Sequence, residues 1–450
     1  MLNNTGRQCA PPLPESLASQ AELAWSHILE GAEPPLAAAL RAELNNEHHA
    51  AQLPVVLACS PFIAELSRRS PALLLQQLSA GHLQSSLNES AFRSDLHQQL
   101  DEHGAEFATT LRRYRQRHML RIVWRDFCRL ADTSETVRDT SLLAEACIVE
   151  AVEHSRLTLE SRFGRPIGSD SGEHQHLIVL AMGKLGAGEL NVSSDIDLIF
   201  VFPESGHTDD ESRSISNQEF FIKQGQAVIS LLDQVTAEGF VFRVDMRLRP
   251  YGESGALVHN FAALVEYYQD QGRDWERYAM IKARPVTGDE RRAAELMTAL
   301  RPFVYRRYVD FGVIESLRSM KQMIIGEVRR RSLQENVKLG AGGIREVEFI
   351  AQCFQLIRGG RDLGLQQREL MPVLAECAVL GCLPEAVVAE LSTAYLFLRD
   401  TEHAIQGYLD KQSQVLPVDP LPQAAIAHIM GYGDWKAYRE HLDQHRSRVA

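Results

Sequence analysis

Apolar residues recur three and four positions apart from about residue 17 to about residue 165, as in Leu142, Leu143, Ala146, Cys147, Val149 and Val152, with few β-branched runs. That period puts the apolar side chains on one face of successive helices and predicts a helical leader. A polar stretch at 168–173, GSDSGE, breaks the period, and period-two segments rich in Val, Ile and Phe follow. They predict strands at 176–182, 195–202 and 240–249. An acidic, Ser-rich loop at 203–216 and a helix at 217–238 are predicted between the second and third. After Val286 the helical period returns and runs to the end, broken by KLGAGG at 338–343 and by Pro384, Pro417, Pro420 and Pro422. The pattern predicts a predominantly helical α+β chain in three parts: 1–170, a helical leader; 171–290, the sheet-bearing part; 291–450, a helical bundle. The charged helical pattern at 435–448 has no closing glycine or proline, which predicts a chain that continues beyond Ala450.

Composition narrows the partners more than the fold. A chain of 450 residues exceeds what one core normally serves, and 45% hydrophobic with 24% charged residues excludes global disorder. The net charge of -12 argues against a nucleic-acid partner. The seven cysteines form no C-x-x-C pair, the start has no signal-type apolar region, and no run is long enough to span a membrane. A cytoplasmic protein without a membrane partner is expected. The basic run from Arg112 to Arg125 carries Leu111, Tyr114, Met119, Ile122 and Val123 at helical spacing, so a helix with one apolar and one solvated face is expected there, rather than a nucleic-acid patch. Trp124 and Trp275 are expected in the core, and the histidines, which lack ligand spacing, are read as structural.

Chemistry concentrates at two strands. Asp195 and Asp197 open one strand and alternate onto the same face. Two carboxylates held that close repel unless a cation sits between them, and hard oxygen ligands suit magnesium, with manganese also possible. Along 242–249, FRVDMRLR, the same alternation places Arg243, Asp245, Arg247 and Arg249 on one face. Asp245 is open to two readings, metal ligand or ion-pair partner of a neighbouring arginine. If the strands are neighbours, the carboxylates can hold two divalent ions roughly 3.5 to 4 Å apart. Arg247 and Arg249 can then neutralise phosphate oxygens. Just upstream, Gly183-Lys184-Leu185-Gly186-Ala187-Gly188 follows a strand and offers backbone N–H groups to a phosphate, with Ser194 beside the first aspartate. Its spacing is neither a P-loop nor a dinucleotide fingerprint.

A glycine turn, a short span and Asp-x-Asp on a strand resemble the signature of the polymerase-β-like nucleotidyltransferase superfamily, except that Lys184 stands where Gly or Ser is usual. Five blocks in order narrow this: MGKLGAGELNVSSDIDLIFVFPE, VFRVDMRLRPYGESGALV, WERYAMIKARPVTGD, FVYRRYVDFGVIESLRSMKQMI and KLGAGGIREVEFIAQ. They resemble the glutamine synthetase adenylyltransferase family, from about residue 112 to about residue 360. The resemblance implies a polymerase-β-like core with a mixed sheet, flanked by the helical leader and bundle. It implies catalytic and metal-binding roles for Asp195, Asp197 and Asp245, and nucleotide or phosphate contacts for Gly183, Lys184, Ser194, Arg247, Arg249, Lys282 and Arg284.

The family joins two such halves, an amino-terminal one that removes AMP from a glutamine synthetase tyrosine and a carboxy-terminal one that attaches it. A start at Met1 and a single Asp-x-Asp site suggest the removing half. The implied reaction is attack of orthophosphate on tyrosyl-AMP, releasing ADP; glutamine synthetase and a PII signalling protein are the implied partners. The alternatives are ATP-dependent adenylylation and a non-catalytic regulatory module. Arg345, Glu346 and Glu348, after the glycine turn at Gly342 and Gly343, fit a functional block and an ordinary helix start equally well.

Overall fold

The computed structural model describes residues 11–103, 106–306 and 333–450, with isolated positions between 315 and 326. Cys9 and most of the block FVYRRYVDFGVIESLRSMKQMI lie outside the described residues.

The leader is helical throughout: α1 Glu15–Gly31, α2 Pro34–Glu43, α3 Glu47–Cys59, α4 Pro61–Arg69, α5 Pro71–Ser79, α6 Glu89–His103, α7 Phe107–Phe127 and α8 Thr133–Phe163. Its breaks follow local chemistry. Proline opens α2, α4 and α5, where its missing N–H costs nothing. The side chains of Ser60 and Asp132 accept from the first-turn amides of Ile63 and Glu135 at 3.2 and 2.7 Å. α7 departs from expectation, because its basic face is not solvated: Arg112, Arg115, Arg121 and Arg125 are all buried. The guanidiniums of Arg112, Arg121 and Arg125 donate to backbone carbonyls, as when Arg121 reaches the oxygens of His82 and Ser85 as well as Asp139, and Arg115 pairs with Asp410.

The sheet is mixed. β2 Ile178–Ala181 pairs antiparallel with β3 Asp195–Phe202 on one side and β7 Arg284–Pro285 on the other. β3 also pairs in parallel with β5 Arg243–Asp245 at its start and with β6 Val258–Asn260 at its end. β1 Pro166–Gly168 and β4 Gly206–Thr208 form a separate ribbon, so the expected loop after β3 is partly ordered. Period-two alternation sends Leu198, Phe200 and Phe202 into one core, while Ile199 and Val201 enter a second with Ile178 and Leu180. α10 Asn217–Asp233 covers the first face; a Cβ on its Gly225 would lie 2.9 Å from the Phe200 ring, so only glycine permits that approach.

The third strand is shorter than the pattern predicts. The ladder ends at Asp245, because Arg247 N–H turns back to Asp245 Oδ1 at 2.8 Å and Arg249 N–H follows onto the Met246 carbonyl at 3.3 Å. Arg247 and Arg249 therefore sit on a turn and share no strand face with Asp245. Beyond the sheet come α11 Phe261–Asp270, α12 Asp274–Met280 and α13 Glu290–Val304, then α14 Ile344–Arg358, α15 Leu370–Val379, α16 Glu385–Leu409, α17 Pro420–Ile429 and α18 Trp435–Val449. A single cluster of buried side chains runs from Leu17 in α1 through Phe200 in β3 to Leu442 in α18. Trp124 is in that core as expected, but Trp275 is 42% exposed at the start of α12. Among the described residues no single helix is long and apolar enough to cross a membrane.

Candidate active site

The site forms where β2 and β3 meet the one-turn helix α9, Gly183–Gly186. Gly183 has φ of 54°, and a Cβ there would stand 2.6 Å from Asp197 Oδ2. Glycine is thus required both by the backbone and by the carboxylate beside it. Across the parallel ladder Asp197 lies opposite Asp245, and Asp195 opposite Arg243, so the structure gathers the three predicted carboxylates at one end of the sheet.

Their electrostatics test whether a divalent cation fits. Burial, with Asp195 and Asp245 adding repulsion, pushes the Asp197 carboxyl from 3.8 up to about 7. Burial works the same way on Asp245, yet hydrogen bonds from the Arg247 side chain and backbone hold it below the usual carboxylate range. Arg247 Nε reaches both Asp245 oxygens, at 3.0 and 2.9 Å, and Nη2 completes the fork. The Arg247 side chain is 69% exposed, so it can swing away at little cost. A guanidinium sits against a carboxylate trio whose central member is destabilised as an anion; this donor set fits a hard divalent cation. Of the two earlier readings of Asp245, the structure shows the ion pair with Arg247.

A cleft of about 450 Å³ opens over these groups. Gly183, Lys184, Ser194, Asp195 and Asp197 line it together with Tyr278, Lys282, Lys338, Arg345, Glu348, Gln412 and Gln414. Lys184 and Lys282 both bind Glu348 Oε1, at 3.0 and 3.1 Å, and Lys282 also reaches Glu189 at 3.3 Å. Burial pushes Lys184 down to about 8, with Arg399 and Lys282 adding repulsion. For Glu348 burial is the largest influence and raises the carboxyl, but Lys184, Lys282 and Lys338 outweigh it and hold the group well below the carboxylate range.

Two predicted cations are elsewhere. Arg284 donates to the carbonyls of Gly186 and Leu185 at 3.1 and 3.2 Å and pairs with Glu145, tying α9 to α8. Arg249 donates to the Met246 carbonyl at 2.8 Å and braces its own turn. Neither lines the cleft, and Asp245 and Arg247, paired with each other, are not among its lining residues either. The glycine-turn block divides: Glu346 accepts from Gly342 N–H at 3.3 Å as a local cap, whereas Arg345 and Glu348 face the cleft. Sequence reasoning missed Lys338, although it opens the KLGAGG break. It had no signal for Glu189, Gln412 or Gln414, whose place depends on long-range packing. Away from the cleft, Asp126, Asp400 and His403 bring ligand-type atoms within 4.8 Å of one another. Thr136 and Thr133 donate to these aspartates at 2.8 and 2.6 Å.

Comparison with known proteins adds the family. Residues 50–299 match the model described as glutamate-ammonia ligase adenylyltransferase, and residues 318–450 the one described as GlnD PII-uridylyltransferase. Relatives named bifunctional glutamine synthetase adenylyltransferase/adenylyl-removing enzyme include one from Pseudomonas putida, 55% identical over 403 residues, covering 89% of this chain and 41% of the relative. Another, from Pseudomonas aeruginosa, is 53% identical over 440 residues, covering 97% and 45%. A third, from Pseudomonas syringae pv. tomato, is 55% identical over 397 residues, covering 88% and 40%. The chain thus spans less than half the length of these relatives. The matches fix the family and not the activity of one half, so the expected assignment to the amino-terminal half is withdrawn. A mixed sheet bearing Asp-x-Asp, within a helical chain that a single family model covers from residue 50 to residue 299, places this chain in the glutamate-ammonia ligase adenylyltransferase family.

Proposed function

We propose that this site removes AMP from a tyrosine of adenylylated glutamine synthetase by phosphorolysis, yielding ADP and the unmodified enzyme. The observation that carries the reading is that Asp195 and Asp197, with Asp245 in register beside Asp197, share one cleft with Lys184, Lys282, Lys338 and Arg345. Asp195, Asp197 and Asp245 would hold magnesium, or manganese, which when bound stabilises charge on the phosphoryl oxygens. The cationic wall draws in the second anion, orthophosphate, and orients it toward the phosphodiester. A phosphate oxygen forms the new bond to phosphorus as the bond to the tyrosine oxygen breaks. The tyrosine leaves as a phenolate, whose reference pKa of about 10 makes a strong general acid unnecessary. Gly183 lets the backbone approach the reacting phosphate beside Asp197, and Ser194 and Arg247 complete the contacts near the carboxylates.

The division into 1–170, 171–290 and 291–450, a cytoplasmic setting and a PII-protein partner accompany this reading. The name of the model matched by residues 318–450 supports the last of these.

The test is incubation of the purified chain with adenylylated glutamine synthetase, magnesium and orthophosphate, following ADP by chromatography beside an Asp195→Asn, Asp197→Asn control. Phosphate-dependent ADP that vanishes in the control is expected. AMP transfer from ATP to unmodified glutamine synthetase, with no ADP formed from phosphate, overturns the proposal in favour of attachment. A well-folded chain inactive in both directions, with or without PII protein, overturns it in favour of a regulatory module.

A further inference from the structure

The carboxylates at the start of β3 are delivered by an irregular segment, and α16 grips that segment from behind at two points. Arg399 Nη2 donates to the Glu189 carbonyl at 2.8 Å, and Gln406 Oε1 accepts the Ser193 N–H at 2.9 Å. The two side chains are seven residues apart, two helical turns or about 10 Å, and so share one face of the helix. Glu189, Ser193, Arg399 and Gln406 are all buried. Ser193 is held from the other side as well: its hydroxyl accepts from Arg243 Nη2 at 3.1 Å, and Arg243 is the residue in register with Asp195. The residue two positions before Asp195 is therefore pinned between β5, which carries Asp245, and a helix more than 200 positions away in the chain. A backbone N–H can only donate, so the Ser193 contact also fixes which way the Gln406 amide points. If that acceptor is removed, the buried N–H has no partner unless the segment moves, because such groups are seldom left unpaired.

We infer that Gln406 is a positioning residue for the metal-binding carboxylates: by holding Ser193 it fixes the entry of β3, and with it the spacing of Asp195 and Asp197 from Asp245. This rests on the divalent-metal reading of that trio. Groups that orient metal ligands from behind typically change metal affinity by about 10- to 100-fold when removed. A contact one step further back is expected at the lower end of that range.

The experiment is Mn²⁺ binding to the purified chain, read by electron paramagnetic resonance without any turnover. Binding by the parent chain that is absent from the Asp195→Asn, Asp197→Asn variant tests the metal reading by itself; if the two bind alike, that reading falls first. Given that difference, Gln406→Met, which keeps the volume and removes the acceptor, is expected to bind Mn²⁺ about tenfold more weakly while unfolding cooperatively near the parent midpoint. Ser193→Ala removes only the hydroxyl that Arg243 holds, disturbs the fold least, and is expected to weaken binding several-fold. Parent-like Mn²⁺ affinity in both variants overturns the inference, as does a loss that appears only where helical circular dichroism is also lost.

Discussion

On the proposed metal-binding reading, the ionisation of Asp197 ties the stability of the metal-free fold to metal binding, with opposite signs. Burial and then its carboxylate neighbours raise it from 3.8 to about 7. A folded-state pKa above the unfolded one means that the folded chain keeps a proton which the unfolded chain has released. The metal-free fold therefore gains stability as pH falls through about 7 towards 4, and bears the full cost of the buried charge above about 7. Three pKa units correspond to at most about 4 kcal/mol. At about pH 8, Asp197→Asn is expected to stabilise the metal-free protein by roughly 1 to 4 kcal/mol while abolishing metal binding. In the parent a metal must displace the Asp197 proton, so the apparent dissociation constant scales as about 1 + 10^(7−pH) and weakens roughly tenfold between pH 8 and pH 6. Mn²⁺ titration at about pH 6, 7 and 8, with urea unfolding of the chelator-treated protein under the same conditions, reads both effects. Equal Mn²⁺ affinity at the two ends, or a chelator-treated Asp197→Asn chain less stable than the parent at the alkaline end, would refute the reasoning.

Three further outcomes follow from the same geometry. Gly183→Ala places a Cβ 2.6 Å from Asp197 Oδ2 at a left-handed position, so Mn²⁺ binding is expected to be lost, with about 1 to 2 kcal/mol of stability in a urea titration. Unchanged Mn²⁺ binding would mean that Asp197 does not need its present position. Arg247→Ala removes the guanidinium that occupies Asp245, so Mn²⁺ should bind as tightly as before or a few-fold more tightly, while the KM for orthophosphate rises; weaker Mn²⁺ binding would show Arg247 to be a support for the carboxylate rather than its competitor. Glu348→Gln takes the carboxylate partner from Lys184 and leaves Lys282 with Glu189 alone, and is expected to cost about 3 kcal/mol, seen as a shifted urea midpoint at unchanged slope. An unshifted midpoint would mean that the lysines find another acceptor.

What the sequence determined by itself is local. Period 3.6 and the proline and Ser/Asp caps fix the helices of the leader, and period two fixes β3 together with the shared face of Asp195 and Asp197. These features need only neighbours a few residues away, and β3 accordingly falls at the predicted 195–202. The glycine turn was legible too, because a left-handed φ beside a carboxylate leaves no room for any other residue. Tertiary structure decided the rest. The alternation of 242–249 suggested four polar residues on one strand face, but an aspartate that accepts its own chain's amide two residues on ends the ladder at Asp245, and the pattern cannot register that competition. The basic face of α7 suggested solvent, yet Arg112, Arg115, Arg121 and Arg125 are buried, where carbonyls and carboxylates of other elements take their donors. Gln412, Gln414 and Gln406 reach the site or its support only through the fold, Gln406 by a contact spanning 213 positions. Along the chain nothing distinguishes such residues from surface polar ones; their roles exist only once the helices that carry them have packed behind the sheet.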